Sequence, residues 1–303
     1  MEFGKLDNIE AVDFTLSPDS PQTAVILQRL AKPQQKLSVY VGCPEWGNRG
    51  WIGTLYPAQT KTTDFLKCYA QQFNCIELNS THYSPPSLET LDKWNQNTPQ
   101  YFHFCPKVPQ IISHHNLFTP EGLVLSQQFQ TIMDRLNQKT GINFLQLPPT
   151  LTAHKIHSLI HYLQNTPIKP LAIEFRHESW FEHGYFEHIA AWLEHLGMTA
   201  VLTDVAGRRD VLHHRLTTPV AFIRFVGNKL HETDYQRLDA WLERLTIWVQ
   251  QGLQQIYFFV HQPQHNLLAP ELAIYLTQRL NQIFQAQLHI PTLQTQPVQD
   301  NLF

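Results

Sequence analysis

The run LAIEFRH at residues 171–177 sets two charged side chains, Glu174 and Arg176, two positions apart in an otherwise apolar stretch. Side chains alternate across an extended strand, so Leu171, Ile173 and Phe175 share one face while Ala172, Glu174 and Arg176 share the other. The same alternation sorts the other apolar runs. Glu77 and Asn79 lie opposite Ile76 and Leu78, and Lys107 falls opposite Phe102 and Phe104. Gln146 lies between Leu145 and Leu147, Arg224 between Ile223 and Phe225, and Asp204 continues the phase of Ala200 and Leu202. If the apolar faces meet helices, these eight polar side chains collect on the other side. An isolated charge is too costly to bury, so they must pair with one another, bind a ligand or hold a metal.

Two carboxylates among cations suit general acid and base work, because unequal surroundings raise one pKa and lower the other. Glu77 and Glu174 are therefore the acid–base candidates, with Asp204 as orienting group. Lys107, Arg176 and Arg224 suit recognition of a phosphate or carboxylate, with Asn79, Gln146 and His177 beside them. The bland alternative is a structural ion-pair network with Glu174–Arg176 as an internal bridge, but such a network is replaceable by apolar residues at little loss of stability. Glu77, Glu174, Asp204, His177 and His261 stand at strand ends and could ligate a divalent ion. With 17 histidines in the chain some fall near any site by chance, so the reading carries neither metal nor cofactor. His114 and His115 follow the third apolar run and read equally as site or surface imidazoles. Trp46, Trp51, Tyr83 and Trp180 either line the opening, where Trp46 and Tyr83 are the binding candidates, or anchor loops. Cys43 has no base at a defined spacing and reads as small packing.

The elements that must position these groups follow from periodicity. Short apolar, β-branched or aromatic runs recur at 37–42, 75–79, 101–105, 143–147, 171–175, 199–204, 220–227 and 256–260. Helical stripes intervene: Phe186, Ile189, Ala190, Leu193 and Leu196 stop at Gly197, and Tyr235, Leu238, Leu242, Leu245 and Val249 stop at Gly252. Pro85-Pro86, Thr62 and Thr152 suit helix starts, and only the connection from the sixth run to the seventh lacks a helix. Eight strand–helix repeats predict an α/β fold, a (β/α)8 TIM barrel over residues 37–288. An N-terminal extension at 1–36 that packs loosely and a flexible tail at 289–303 complete the domains. An open doubly wound sheet ranks second, since GCPEWGNRGWIG lacks the GxGxxG spacing of a dinucleotide loop. Barrel active sites lie at the C-terminal strand ends, where the polar set falls.

Composition narrows the classes. With 43% hydrophobic and 16% charged residues the chain can bury a large core, and a net charge of -3 exerts no global pull on nucleic acid or membrane. The four cysteines form no CxxC pair and read as reduced. No signal sequence and no run of roughly 18 apolar residues occurs, which predicts a cytoplasmic protein without membrane contact.

At these residues the chain resembles the YecE-like family of (β/α) barrels, a domain of unknown function. The resemblance rests on VGCPEWGNRGWIGTLYP, CIELNSTHY, FCPKVPQIISH, FLQLPPT, IEFRHESW, LTDVAG and FIRFVG, in the expected order. It implies the barrel and a common polar site, without a reaction. It also implies a pair of asparagines ending the last strand, where this chain has His261 and Gln262. The functional expectation is an enzyme acting on an anionic small molecule or nucleic-acid end; the alternative is a binding protein using the same pocket without turnover. The chain ends on QDNLF, and Gln299, Leu302 and Phe303 resemble the peptide by which bacterial DNA-handling enzymes dock on the sliding clamp.

Overall fold

The computed structural model describes residues 4–6, 8–32, 35–262 and 266–294. All eight expected runs form strands: β1 Ser38–Gly42, β2 Cys75–Leu78, β3 His103–Pro106, β4 Asn143–Gln146, β5 Leu171–Glu174, β6 Thr199–Asp204, β7 Val220–Val226 and β8 Gln255–His261. They are parallel and run β1-β8-β7-β6-β5-β4 in one sheet and β2-β3 in a second. A few isolated hydrogen bonds, rather than continuous ladders, link the two sheets around the ring. Glu77 N donates to Cys43 O at 3.3 Å on one seam, and Val108 N donates to Phe144 O at 2.9 Å on the other. Gly42 makes the first seam possible: a Cβ there would stand 2.2 Å from the carbonyl oxygen of Cys75.

Side chains inside the ring include Cys75, Cys105, Phe144, Ala172, Val201, Phe222, Tyr257 and Phe259. Ile76, Leu78, Phe104, Ile173, Leu202, Ile223 and Phe225 face the other way, in the core beneath the helices. The connecting helices are α2 Phe65–Gln72, α3 Leu88–Asn97, α4 Pro120–Met133, α5 Ile156–Asn165, α6 Tyr185–Leu196, α7 Glu232–Gln251 and α8 Ala269–Phe284, with α1 Pro21–Leu30 before β1. Helices α6 and α7 end as expected on Gly197 and Gly252, both with left-handed backbone whose N–H groups return to the last turn.

Two expectations at the chain ends are corrected. The connection from β6 to β7 has only a 3-10 segment, Ala206–Val211, and the N-terminal extension takes the missing helix's place. Far from packing loosely, α1 buries Ile26 and Leu27, while Ser20 and Arg29 reach Glu187 and Glu194 of α6 at 2.9 and 3.2 Å. On its other side Trp248 of α7 donates to Asp19 at 2.8 Å. A ring of strands exposes an apolar flank wherever a helix is absent, and burying that flank is what recruits the extension. At the other end, residues 289–294 are not a free tail: Thr292 N donates to Gln72 at 2.9 Å and Gln294 N to Thr54 O at 2.8 Å. Gln299, Leu302 and Phe303 lie outside the described residues. Among the described residues no helix is long and apolar enough to cross a membrane.

Candidate functional site

The residues that follow the inner faces of β2, β3, β4, β5, β7 and β8 converge at the C-terminal strand ends. Arg224 on β7 lies between two carboxylates that are 0% exposed. Its Nε and Nη2 donate to Glu77 at 2.8 Å each, and its Nη1 donates to both oxygens of Glu174 at 2.9 and 2.8 Å. Asn79 adds a bond to Glu77 at 2.9 Å, and His261 Nε2 lies 3.0 Å from the same carboxylate. Glu174 also accepts from Gln146 at 2.7 Å and from Thr203 at 3.0 Å. Each carboxylate therefore has its lone pairs engaged by donors, which is the condition for keeping a buried charge.

Burial pushes both carboxyls up, but the attraction of Arg224 outweighs it, helped by His261 at Glu77 and by Arg176 at Glu174. Both groups are held below the ordinary carboxylate range, Glu77 well below. The expected split, one carboxyl raised and one lowered, is corrected: one guanidinium shared by two carboxylates acts on both in the same direction. Neither is poised as an acid. Lys107, 8% exposed, is brought down to about 8 by burial first and the charge of Arg224 second. Its Nζ donates to Gln146 Oε1 at 2.9 Å, and Arg176 Nη1 donates to that same oxygen at 3.1 Å. Arg176, also 8% exposed, is lowered to about 10 chiefly by burial.

Asp204 is not in this cluster. On β6 it is Val201 and Thr203 that point inward, while Asp204 points into the helical layer, where Arg237 and Trp241 each donate to it at 2.7 Å. Every residue of TAVLTD is buried and the run is apolar on both faces, so alternation could not tell them apart. The inward position belongs to Thr203, which sequence reasoning missed. Gln262 likewise turns away, accepting from Lys229 N at 2.8 Å and donating to Asp234 at 3.2 Å. The internal bridge of the cluster runs through Arg224.

The aromatic and imidazole candidates divide. Trp46 packs edge-on against Trp94, and Trp51 and Trp180 are buried, so these three anchor loops. Tyr83 is 81% exposed beside His82. His177 accepts from Ser179 N at 3.1 Å and caps the turn Glu178–Phe181. His114 lies on a wide helical turn, Ile111–Asn116, against His82. Burial, then the charges of His82 and Lys107, takes it down to about 4, so it is a neutral imidazole close to the cations. Turns of this wide kind gather at functional sites, but no spacing rule marks one in sequence. Burial pushes the Cys43 thiol far up, which leaves it inert. Among the described residues no three His, Cys, Asp or Glu side chains converge as a metal ligand set.

A ring of parallel strands with a buried polar cluster at its C-terminal ends places the molecule among the TIM-like α/β barrels. The family described as "Protein of unknown function DUF72" matches residues 40–297, and the chain belongs to it. UPF0759 protein YecE of Escherichia coli strain K12 is 29% identical over 286 residues, spanning 88% of this chain and 100% of that protein. A DUF72 family protein from Thermotoga maritima superposes with a TM-score of 0.62 at 26% identity, over 80% of this chain and 99% of that one. One from Enterococcus faecalis V583 gives 0.63 at 18% identity, over 82% and 99%, and supports the fold alone.

Proposed function

We propose that the protein is an enzyme that binds a small anionic molecule at the C-terminal barrel mouth, with Lys107 and Arg176 holding the anion and Lys107 exchanging the proton. The carrying observation is that these two cations, both nearly buried, share one amide oxygen of Gln146 while Arg224 occupies both carboxylates. An amide oxygen carries no net charge, and an anionic group of a ligand in its place would bind both cations more strongly. A structural network accounts for Glu77, Arg224 and Glu174, whereas Lys107 and Arg176 converging on one neutral oxygen form an arrangement that an anion would complete. Arg224 drops out as an anion clamp, because its donors are spent on the two glutamates. Lys107 supplies the acid–base function in place of Glu77 and Glu174, which instead fix Arg224 and the field around the amine. A group titrating near 8 exists in both protonation states near neutrality, the condition for efficient proton transfer.

The test is thermal stabilisation by phosphate, sugar phosphates, nucleotides and 2-oxo acids. A ligand that prefers the folded state raises the melting temperature with concentration. Arg176→Ala is expected to abolish the shift, and equal shifts in wild type and Arg176→Ala would refute the reading. The nucleic-acid end remains one candidate anion, and its partner has a separate test. A peptide of residues 291–303 is titrated with purified sliding clamp; saturable binding lost on changing Leu302 and Phe303 to Ala is expected, and no binding at high micromolar concentration removes it.

A further inference from the structure

Lys107 is placed to do more than exchange a proton. Its Nζ lies inside the ring, 6.0 Å from the centroid of Phe144, and its acceptor is an amide oxygen. No carboxylate contact locks it as an ammonium; the two glutamates within its field are already clasped by Arg224. Lysines that form covalent bonds with carbonyl compounds share these features: partial burial, neighbouring positive charge and no ion-pair partner, so that a neutral lone pair is available. The guanidinium of Arg176 comes to the same Gln146 oxygen, one acceptor away. A molecule that replaced Gln146 as the partner of both groups would need an electrophilic carbon for the amine and an anionic group a bond or two away for the guanidinium fork.

We infer that Lys107 captures a short anionic carbonyl compound, a 2-oxo acid or a phosphorylated aldehyde or ketone, as an imine, with Arg176 receiving the carboxylate or phosphate. The neutral amine attacks the carbonyl carbon, and a proton passes from nitrogen to the carbonyl oxygen, giving a carbinolamine. With one further proton that oxygen leaves as water and the nitrogen lone pair forms the C=N bond, so amine, carbonyl and one proton become iminium and water. The positive charge of Arg176 also favours the addition step, because negative charge develops on the carbonyl oxygen as the neutral amine attacks. This inference rests on the anion-binding reading and narrows it to one class of substrate.

The experiment traps the imine by reduction. The full chain is incubated with cyanoborohydride and, separately, pyruvate, glycolaldehyde phosphate or the neutral control dihydroxyacetone, and the modified lysine is located by peptide mass spectrometry. Hydride delivered to the iminium carbon leaves a stable secondary amine. The expected result is one adduct, at Lys107, with pyruvate or glycolaldehyde phosphate, falling to background in Lys107→Met and Lys107→Arg. Arg176→Ala is expected to lower trapping by the anionic probes about tenfold or more relative to the neutral control in the same variant, the loss a missing charge-assisted hydrogen bond brings. Adduct spread over other lysines, or retained in Lys107→Arg, overturns the inference. Thermal shifts on the same variants, without reductant, separate the two readings. Stabilisation by pyruvate or glycolaldehyde phosphate without adduct defeats imine formation alone, whereas no stabilisation and no adduct defeats both.

Discussion

Two networks of buried arginine and carboxylate sit on opposite faces of β6 and β7, built from the same chemistry to different ends. On the outer face Asp204 accepts from Arg209, Arg237 and Trp241, and Asp234 lies 3.4 Å from Arg237. Phe14 from the N-terminal extension covers both guanidiniums, 4.9 Å from that of Arg237 and 5.5 Å from that of Arg209, and Phe225 lies 4.2 Å beneath Arg237. Two carboxylates meet two cations under an aromatic cover. On the inner face two carboxylates are clasped by Arg224, while Lys107 and Arg176 both donate to the amide oxygen of Gln146. The outer network cements the extension to the barrel; the inner one is the site of the proposed anion binding. Buried ion pairs alone therefore say little about function, and the two networks differ in what lies over them: an aromatic cover outside, the barrel mouth inside.

The largest effect should come from Arg224→Ala, which strands two fully buried carboxylates. Losing one partner of a buried pair costs about 3–5 kcal/mol, and here two pairs are lost. Urea unfolding should show a large drop in midpoint, and a midpoint equal to wild type would show that Glu77 and Glu174 are buried as neutral acids. Asp204→Asn should also destabilise the fold yet keep the anion-induced thermal shift. Loss of that shift would break the division between the two networks.

The inner network also has an acid signature. Folding lowers Glu77 below its ordinary value of 4.5. Its contribution is then complete above pH 4.5 and is lost as pH falls through the folded value. Wild type should lose stability in acid more steeply than Glu77→Gln. Parallel slopes from thermal melts across the acid range would count against the ion pair.

Lys107 shifts stability in the same direction but in an alkaline window, and as a penalty that is relieved rather than a gain that is lost. The amine falls from 10.5 in the unfolded chain to about 8 when folded, so the unfolded chain binds more protons between these values and stability rises with pH there. Lys107→Met should flatten that rise and stabilise the protein near neutrality, on the order of 1 kcal/mol or more given the size of the shift. It should at the same time lose the anion response. Lower stability in Lys107→Met at pH 7 would mean the amine is a structural tie rather than a strained functional group.

The smallest effect belongs to Phe14→Ala. Removing the aromatic cover from Arg209 and Arg237 should cost about 0.5–2 kcal/mol and leave anion binding intact. An altered anion response would mean that the extension controls the mouth as well as bracing the flank.

Strand number, order and most inward side chains were legible in the sequence, because runs such as LAIEF and CIELN put polar residues on one face only. Glu77, Asn79, Lys107, Gln146, Glu174, Arg176 and Arg224 met at the mouth for that reason. In TAVLTD both faces are apolar, so the phase was invisible and Asp204 was put in the place of Thr203. Which charges pair depended on reach across the ring, where Arg224 on β7 bridges β2 and β5, and on His261 touching Glu77 from β8. Local pattern determined which way most side chains point. Only the tertiary structure decided which of them meet, because contacts between residues far apart in sequence depend on the curvature of the strands around the ring, which no single segment encodes.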